Sequence, residues 1–258
     1  MNVILLPTRI RQTLVQTDFQ LFSPTHLAIL ASMPLLAAAL AGAARNSPNS
    51  DRVIRYALAV FLAADGLIWY GYRYFVLNVP LRHVLPFELC DISFWIIVWI
   101  LLRFRQRGFD LAYYLGAGGA AMAMITPSLT QPLLTYPSIE FLAGHGMMVV
   151  AVLYLLWTKQ ARPRPGSWKY ALVMLNIFAA LVGLIDLLLG SNYMYLRHKP
   201  PTQSLFDLLG GWPWYIFFTE FVSLAIFFVM SLPYRRSADA IPAAVLSLPE
   251  EAPDEVAG

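Results

Sequence analysis

The stretch from His83 to Arg105, HVLPFELCDISFWIIVWILLRFR, decides how the rest of the chain is interpreted. It is an apolar run long enough to cross a bilayer, and close to its start it contains Glu88, Cys90 and Asp91. A charged side chain at the bilayer centre costs about 2.5 to 3.5 kcal/mol on insertion scales, so polar groups at such depth need partners. The stretch therefore predicts a membrane helix that contributes polar side chains to a cavity.

The composition of the chain indicates an integral membrane protein. Of its 258 residues, 59% are hydrophobic and 13% are charged, whereas soluble domains contain about 25% charged residues. The apolar residues fall in blocks of about 18 to 25, the length that crosses a bilayer as a helix. The sequence predicts an all-α, polytopic membrane helix bundle with seven transmembrane helices. The predicted spans are residues 24–44, 55–77, 86–102, 110–126, 139–158, 168–190 and 213–232.

The distribution of basic residues predicts the orientation of these spans. Cytoplasmic loops of membrane proteins carry an excess of Lys and Arg. With the N-terminus outside, twelve of the 18 Lys and Arg residues lie on the cytoplasmic side and six on the outer side. The pattern favours an N-out, C-in protein of the cell membrane, and we expect a bacterial inner membrane. The twelve are Arg45, Arg52, Arg55, Arg103, Arg105, Arg107, Lys159, Arg162, Arg164, Lys169, Arg235 and Arg236.

The chain divides into three predicted segments. Residues 1–22 are interpreted as an interfacial arm, 23–236 as the seven-helix membrane domain, and 237–258 as a disordered cytoplasmic tail. The tail holds five of the 15 acidic residues and no aromatic residue, so it cannot bury enough surface to fold alone. Without the tail the net charge rises from +3 to +8, because 18 basic and 10 acidic residues remain. We attribute this charge to membrane topology and expect no nucleic-acid partner.

Polar residues inside several spans fall at a similar depth when each residue adds about 1.5 Å of rise. Cys90 and Asp91 lie about 6 to 8 Å into the third span, and His145 lies about 9 Å into the fifth. The convergence predicts one hydrated pocket that opens on the outer side. The predicted members, with His26 as an additional candidate, are Asp65, Glu88, Cys90, Asp91, His145, Asp186 and Glu220.

Helical spacing divides the cluster on the third span. Glu88 and Asp91 are three residues apart and share a face, whereas Cys90 points about 100° away from Asp91. Cys90 is interpreted either as a packing residue or as a nucleophile, and His145 either as a structural histidine or as a base. The carboxylates are interpreted as orienting or ion-pairing groups, and Asn176 as an interhelical hydrogen-bond donor.

Two other functions fit the same residues. Buried carboxylates also mark transporters and proton relays. A relay needs a polar path across the whole membrane, however, and the cytoplasmic halves of the predicted spans offer few polar residues. A metal-dependent membrane hydrolase is the third hypothesis, but zinc generally needs three protein ligands and only His145 lies well inside a span. We expect no metal site and no cofactor.

Several phrases of the sequence resemble the YwaF family of bacterial seven-span membrane proteins. These phrases are FSPTHL at 22–27, LPFELCDIS at 85–93, HG at 145–146, NYMYLRHKP at 192–200 and LLGGWPWYIFFTE at 208–220. That family is similar to eukaryotic transmembrane acyltransferases that move fatty acyl chains between phospholipids and have a cysteine in the corresponding third-span motif. The resemblance implies that Cys90 is the nucleophile, with phospholipid and lysophospholipid as partners.

A mechanism follows from this resemblance together with the predicted depths. His145 would deprotonate Cys90, and Asp91, Asp186 or Glu220 would orient His145. The oligomeric state cannot be predicted from these residues. The residues expected to bind the phosphate headgroup are Arg73, Asn192, Tyr193 and Arg197.

Overall fold

A computed structural model describes residues 19–45, 47–127, 129, 131–200 and 208–235. Within these ranges all regular structure is helical and no strand occurs, so the all-α prediction is confirmed. Most of the predicted N-terminal arm and the whole predicted tail, 237–258, lie outside the described residues.

In the described ranges, eight α-helices account for the seven predicted spans. They are α1 Pro24–Ala44, α2 Pro48–Gly71, α3 Leu89–Leu102, α4 Gln106–Leu111, α5 Gly118–Ile125, α6 Tyr136–Trp157, α7 Ser167–Leu189 and α8 Trp214–Ser231. A π-helical turn, Tyr72–Val76, extends α2, and another, Ala112–Ala117, joins α4 to α5 into one continuous stretch. The orientation of the bundle stays a prediction. Short 3₁₀ helices cover Leu81–His83, Tyr193–Tyr195 and Leu232–Tyr234.

Side-chain caps and glycines explain several helix ends. The Ser23 hydroxyl accepts from the His26 backbone N–H at 3.3 Å, and Pro24 occupies the first helical position of α1. Ser47 and Pro48 begin α2 in the same way. Helix α7 ends before Gly190, whose φ of +68° is a left-handed conformation that glycine adopts without strain.

Five of the helical stretches are long and apolar enough to cross a membrane. They are Pro24–Ala44, Pro48–Val76, Tyr136–Trp157, Ser167–Leu189 and Trp214–Tyr234. Helix α3 is equally apolar but has only 14 residues, because Glu88 caps it after the irregular segment at Pro86. The third predicted span is therefore shorter as a helix than the apolar run suggests.

Helix α6 lies at the centre of the bundle and contacts α1, α2, α3 and α5. Half of its apolar stretch is buried inside the protein, against 17% for α1, α7 and α8. The exposed apolar faces of those three helices are suited to contact with lipid. Helices α7 and α8 pack on each other and against the α4–α5 stretch through a separate cluster that includes Tyr114, Leu175 and Phe227.

The two ends of the bundle differ in character. At one end, called here the cavity end, α2 finishes, α3 begins and α6 begins. At the other, called the basic end, Arg105 and Arg107 follow α3, and buried Asp110 accepts hydrogen bonds from Arg164 Nε at 2.6 Å and Gln106 Nε2 at 3.1 Å. These bonds fasten the start of α4 to the loop that precedes α7.

Candidate functional site

A cavity of about 410 Å³ opens at the cavity end between α2, α3 and α6. Its volume falls within the range of about 300 to 1,000 Å³ that is usual for small-molecule sites. Helices α2 and α3 form one side, α6 forms the other, and the loop after α7 contributes Tyr195. Lining residues with polar groups include Asp65, Tyr70, Glu88, Cys90, Asp91, Glu140, His145 and Tyr195.

Cys90, the only cysteine of the chain, is the second residue of α3 and is accessible in the wall of this cavity. Backbone N–H groups in the first turn of a helix have no partner further back along the helix and favour negative charge nearby. The carboxylates of Glu88 and Asp91 belong to the same end of α3 as Cys90.

His145 lies across the cavity on α6, with its ring centroid 4.3 Å from that of Phe141. Its Nδ1 is 2.9 Å from the Phe141 carbonyl oxygen. Because a carbonyl can only accept, Nδ1 carries the hydrogen in the neutral ring and Nε2 keeps its lone pair. The prediction that a carboxylate of Asp91, Asp186 or Glu220 orients His145 is wrong, since a backbone carbonyl one turn earlier on the same helix does so.

Asp91 is held by two hydrogen bonds at the start of α3. It accepts from the Tyr70 hydroxyl at 3.0 Å and from the Glu88 backbone N–H at 3.2 Å. The Trp95 indole N–H donates in turn to the Tyr70 oxygen at 3.3 Å. Asp91 thus fastens α3 to α2, and its carboxylate is turned toward Tyr70 and away from an arginine.

Glu88 connects the cavity to the loop that follows α7. Its Oε2 accepts from the Met194 backbone N–H at 2.8 Å. Met194 and Tyr195 have φ values of 52° and 55°, a left-handed conformation that is uncommon for residues other than glycine. The hydrogen bond from Met194 helps to maintain this strained turn, which places Tyr195 in the cavity wall.

Asp65 of α2 and Gly144 of α6 lie against each other in the cavity. A Cβ atom added at Gly144 would lie 2.7 Å from Asp65 Oδ2, so a larger residue at this position would force the carboxylate to move. This oxygen is buried and has no hydrogen-bond partner among the described residues. An unpaired buried oxygen is costly, and such atoms need an explanation in function or in bound water.

The acidic residues of the cavity form no ion pair with any residue that the structure describes. Ion pairs elsewhere in the described ranges include Arg55–Asp51 and Arg164–Asp110. The predicted pairing of cavity carboxylates with arginines is therefore wrong. The guanidinium of Arg73 donates to the His83 carbonyl and lies 6.0 Å from the Trp69 ring centroid, and it acts on Glu88 and Glu140 only at a distance.

Asp186 and Glu220, two predicted members of the pocket, lie elsewhere. Asp186 is fully buried at the end of α7, where its Oδ1 accepts from the Ser191 hydroxyl at 2.6 Å and the Tyr193 backbone N–H at 2.9 Å. Glu220 accepts from Asn176 Nδ2 at 2.7 Å between α8 and α7, which confirms the interhelical role of Asn176. Equal depth in the membrane did not place these residues on the same side of the bundle.

His26 is a structural histidine at the start of α1. It is fully buried, its Nδ1 accepts from the Phe22 backbone N–H at 2.9 Å, and its Nε2 donates to the Met124 carbonyl at 2.8 Å. Both ring nitrogens are occupied, and the ring lies outside the lining of the cavity. His26, the additional candidate, is therefore not a lining residue of the cavity.

The residues predicted to bind a headgroup organise the loop after α7. Asn192 bridges to the backbone of Arg197 and His198, and Arg197 Nη1 donates to the Ser191 carbonyl at 3.1 Å. Tyr193 is buried and donates to the Arg82 carbonyl at 3.0 Å. Burial raises the pKa of Tyr193 to about 12, so its hydroxyl remains a donor at neutral pH. A headgroup role for these residues stays a prediction.

Sequence reasoning missed three lining residues, Glu140, Tyr70 and Tyr195. Glu140 is the second residue of the fifth predicted span, and its position five residues before His145 places it little more than one turn away. Tyr70 lies within the second predicted span near the end of α2, where its hydroxyl reaches Asp91 of α3. No sequence signal identifies Tyr195, because its place depends on the conformation of an irregular loop.

Among the described residues, no three His, Cys, Asp or Glu side chains are arranged closely enough to hold a metal ion. Helices α2, α3 and α6 bring Cys90, His145 and several carboxylates together without the ligand set that zinc requires. The residues present therefore give the metal-hydrolase hypothesis no support.

The apolar helices and the polar cavity between them define a polytopic helical membrane protein. A family model described as the TMEM164 family, a transmembrane protein family, matches residues 21–231, and the chain therefore belongs to the TMEM164 family. No curated protein and no solved structure matched the chain. The resemblance to the YwaF family and a bacterial origin stay predictions.

Proposed function

We propose that the protein is a membrane acyltransferase that moves a fatty acyl chain between phospholipids through a thioester on Cys90. The observation that supports this most directly is that Cys90 and His145 line one cavity, with His145 Nε2 available to accept a proton. Nucleophilic catalysis by cysteine needs such a base within reach of the thiol. The resemblance described above supports the same chemistry.

In the first half-reaction, His145 Nε2 takes the proton of the Cys90 thiol as the thiolate attacks the ester carbonyl of a phospholipid. The ester C–O bond breaks, the protonated His145 returns the proton to the departing oxygen, and a lysophospholipid leaves. In the second half-reaction, a hydroxyl of another lysophospholipid gives its proton to His145 and attacks the thioester. The acyl–sulfur bond breaks and Cys90 regains its proton.

The start of α3 supplies donors for the charge that develops in both steps. Backbone N–H groups in the first turn of α3 would stabilise the thiolate, and a carbonyl oxygen that becomes negative could use the same donors. Because the neighbouring carboxylates of Glu88 and Asp91 disfavour a further negative charge, formation of the thiolate depends on a base, which is the role of His145.

The test is acyl transfer in nanodiscs that contain a phospholipid with a labelled acyl chain and an unlabelled lysophospholipid. We expect label in the newly formed phospholipid with the wild-type protein, and at least a hundredfold lower initial rate with Cys90→Ala and His145→Ala. Glu220→Gln is the matched control, because this residue lies outside the cavity, and it should retain the rate.

A labelled acyl group on the wild-type protein that hydroxylamine removes would identify the thioester. Undiminished transfer by a correctly folded Cys90→Ala variant would rule out the cysteine mechanism. The absence of transfer by the wild-type protein across several headgroups and acyl chains would count against acyl transfer itself.

A proton relay is the second candidate, and the unpaired Asp65 oxygen beside Gly144 is the observation that favours it. Buried carboxylates without partners mark proton pathways in many membrane proteins. In proteoliposomes, a relay predicts dissipation of a pH gradient that is lost in Asp65→Asn and retained in Cys90→Ala. The acyltransferase predicts no such dissipation.

A further inference from the structure

A second cavity, of about 500 Å³, lies at the basic end of the bundle, opposite the cavity that contains Cys90. Cys90 is in the first turn of α3 and Trp99, which lines the second cavity, is in its last turn, so these two residues are about 13 Å apart along the helix. The lining of the second cavity comes from α3, α4, the loop before α7 and α7 itself. The residues used below are Ile96, Trp99, Arg105, Arg107, Leu111, Arg164 and Tyr170.

The inner part of this cavity is apolar, and Trp99 packed on Gly108 forms its base. Trp99 packs so closely on Gly108 that a Cβ atom there would lie 2.8 Å from the indole ring. Ile96, Leu111 and Tyr170 complete the apolar wall. Trp99 remains 46% exposed, so its ring offers a broad apolar surface close to the expected membrane boundary.

The rim of the same cavity is cationic. The charge of Arg164 is paired with buried Asp110, with 2.6 Å between Arg164 Nε and Asp110 Oδ2. Arg105 and Arg107 are exposed and have no acidic partner in the part of the chain that the structure describes. Two uncompensated positive charges therefore stand beside an apolar surface.

We propose that this second cavity binds an anionic phospholipid, with its phosphate between Arg105 and Arg107 and an acyl chain against Trp99, Ile96 and Leu111. Guanidinium groups recognise phosphate with directed, charge-assisted hydrogen bonds. Basic pockets between membrane helices are suited to anionic headgroups, and each basic residue near the surface contributes about 1 kcal/mol, or about fivefold in affinity. A soluble phosphate compound would leave the apolar wall uncovered.

Native mass spectrometry of the purified full-length protein provides the test, with titration of phosphatidylglycerol and phosphatidylcholine. We expect the wild type to prefer phosphatidylglycerol. Arg105→Gln/Arg107→Gln should weaken phosphatidylglycerol binding about 25-fold and leave phosphatidylcholine binding unchanged. Arg103→Gln is the matched control, because Arg103 is exposed at the same end without lining the cavity, and it should bind as the wild type does.

Two further measurements separate a lipid from a free phosphate compound. Trp99→Ala should weaken the binding of both phospholipids, and glycerophosphoglycerol, the soluble headgroup, should fail to displace bound phosphatidylglycerol at equal concentration. Displacement by the soluble compound would overturn the lipid assignment. An unchanged phosphatidylglycerol preference in the double arginine variant, with unfolding temperature equal to wild type, would overturn the site.

Discussion

At the scale of single residues, Gly144 has the most specific structural role in the cavity that contains Cys90. It precedes His145 on α6, and the Asp65 carboxylate of α2 occupies the space that a larger side chain at this position would fill. A residue that makes no polar contact of its own thus leaves room for a charged group in the cavity.

We expect Gly144→Ala to destabilise the protein by about 1 to 3 kcal/mol, the usual cost of overpacking a well-packed site. The reason is the 2.7 Å separation between the added Cβ and Asp65 Oδ2. The free energy of unfolding in detergent micelles, from a denaturant titration, measures the effect.

Gly119→Ala is the control for this substitution. Nothing lies within 4 Å of a Cβ added at Gly119, so the variant should be as stable as wild type or up to about 1 kcal/mol more stable through helix propensity. In an Asp65→Ala background the cost of Gly144→Ala should fall below about 0.5 kcal/mol, because the clashing carboxylate is gone. An equal cost in both backgrounds would show that Asp65 is not the contact that matters.

The sequence was informative about some residues of this site and silent about others. Cys90, Asp91 and His145 could be predicted because polar residues inside apolar spans are rare, and depth along a helix follows from simple geometry. The positions of Asp186 and Glu220 could not, since depth says nothing about the direction in which a helix presents a side chain. The place of Tyr195 in the cavity wall depends on the conformation of the loop after α7, and no sequence pattern predicts that conformation.

At the scale of elements, the fastening of α4 to the loop before α7 depends on one buried carboxylate. Asp110 is fully buried and accepts from the backbone and side chain of Arg164 and from Gln106. Buried polar groups of this kind stabilise only while all partners are present. The contact also determines where Arg164 lies in the rim of the proposed lipid site.

Asp110→Ala should lower the free energy of unfolding by about 2 to 3 kcal/mol, because it removes the acceptor of the Arg164 backbone and side chain and one of the two acceptors of Gln106. Since the Arg164 side chain is partly exposed, water can replace some of the loss. Unfolding in detergent micelles is again the measurement.

The partly buried pair of Arg55 and Asp51, with side chains 21% and 27% exposed, provides a comparison for the fully buried Asp110. Arg55 Nε lies 3.8 Å from Asp51 Oδ2, a long contact, and Arg55→Gln should change stability by less than about 1 kcal/mol. A similar loss from Arg55→Gln and Asp110→Ala would indicate that burial does not distinguish the two pairs.

Helix positions were predicted well because apolar length and helix-ending residues are local properties. The first span was predicted at the observed bounds, Pro24–Ala44. The third differed because the apolar run includes Pro86 and Phe87, which precede the helix, and hydropathy does not separate helix from the irregular segment before it. The π-helical turn at Ala112–Ala117 also has no hydropathy signal.

At the scale of the whole molecule, the distribution of basic residues predicts that the cavity end faces outward. In a Cys90→Ala background, we expect a membrane-impermeant maleimide to label Leu81→Cys in intact cells, because Leu81 is exposed at the cavity end. Arg162→Cys, at the basic end, should be labelled only after the membrane is permeabilised. Labelling of Arg162→Cys alone in intact cells would reverse the orientation.

The short length of α3 has a consequence for the surrounding bilayer. Its 14 residues span about 21 Å, whereas neighbouring Pro48–Val76 has 29 residues, and the hydrocarbon core of a bilayer is about 30 Å thick. Because Arg103 follows α3 at its other end, we expect the resulting hydrophobic mismatch of about 9 Å at the start of α3, beside Cys90. Local thinning of the leaflet at this point would bring the ester region of adjacent lipids toward the level of the thiol, so that membrane thickness becomes a variable that tunes access to it.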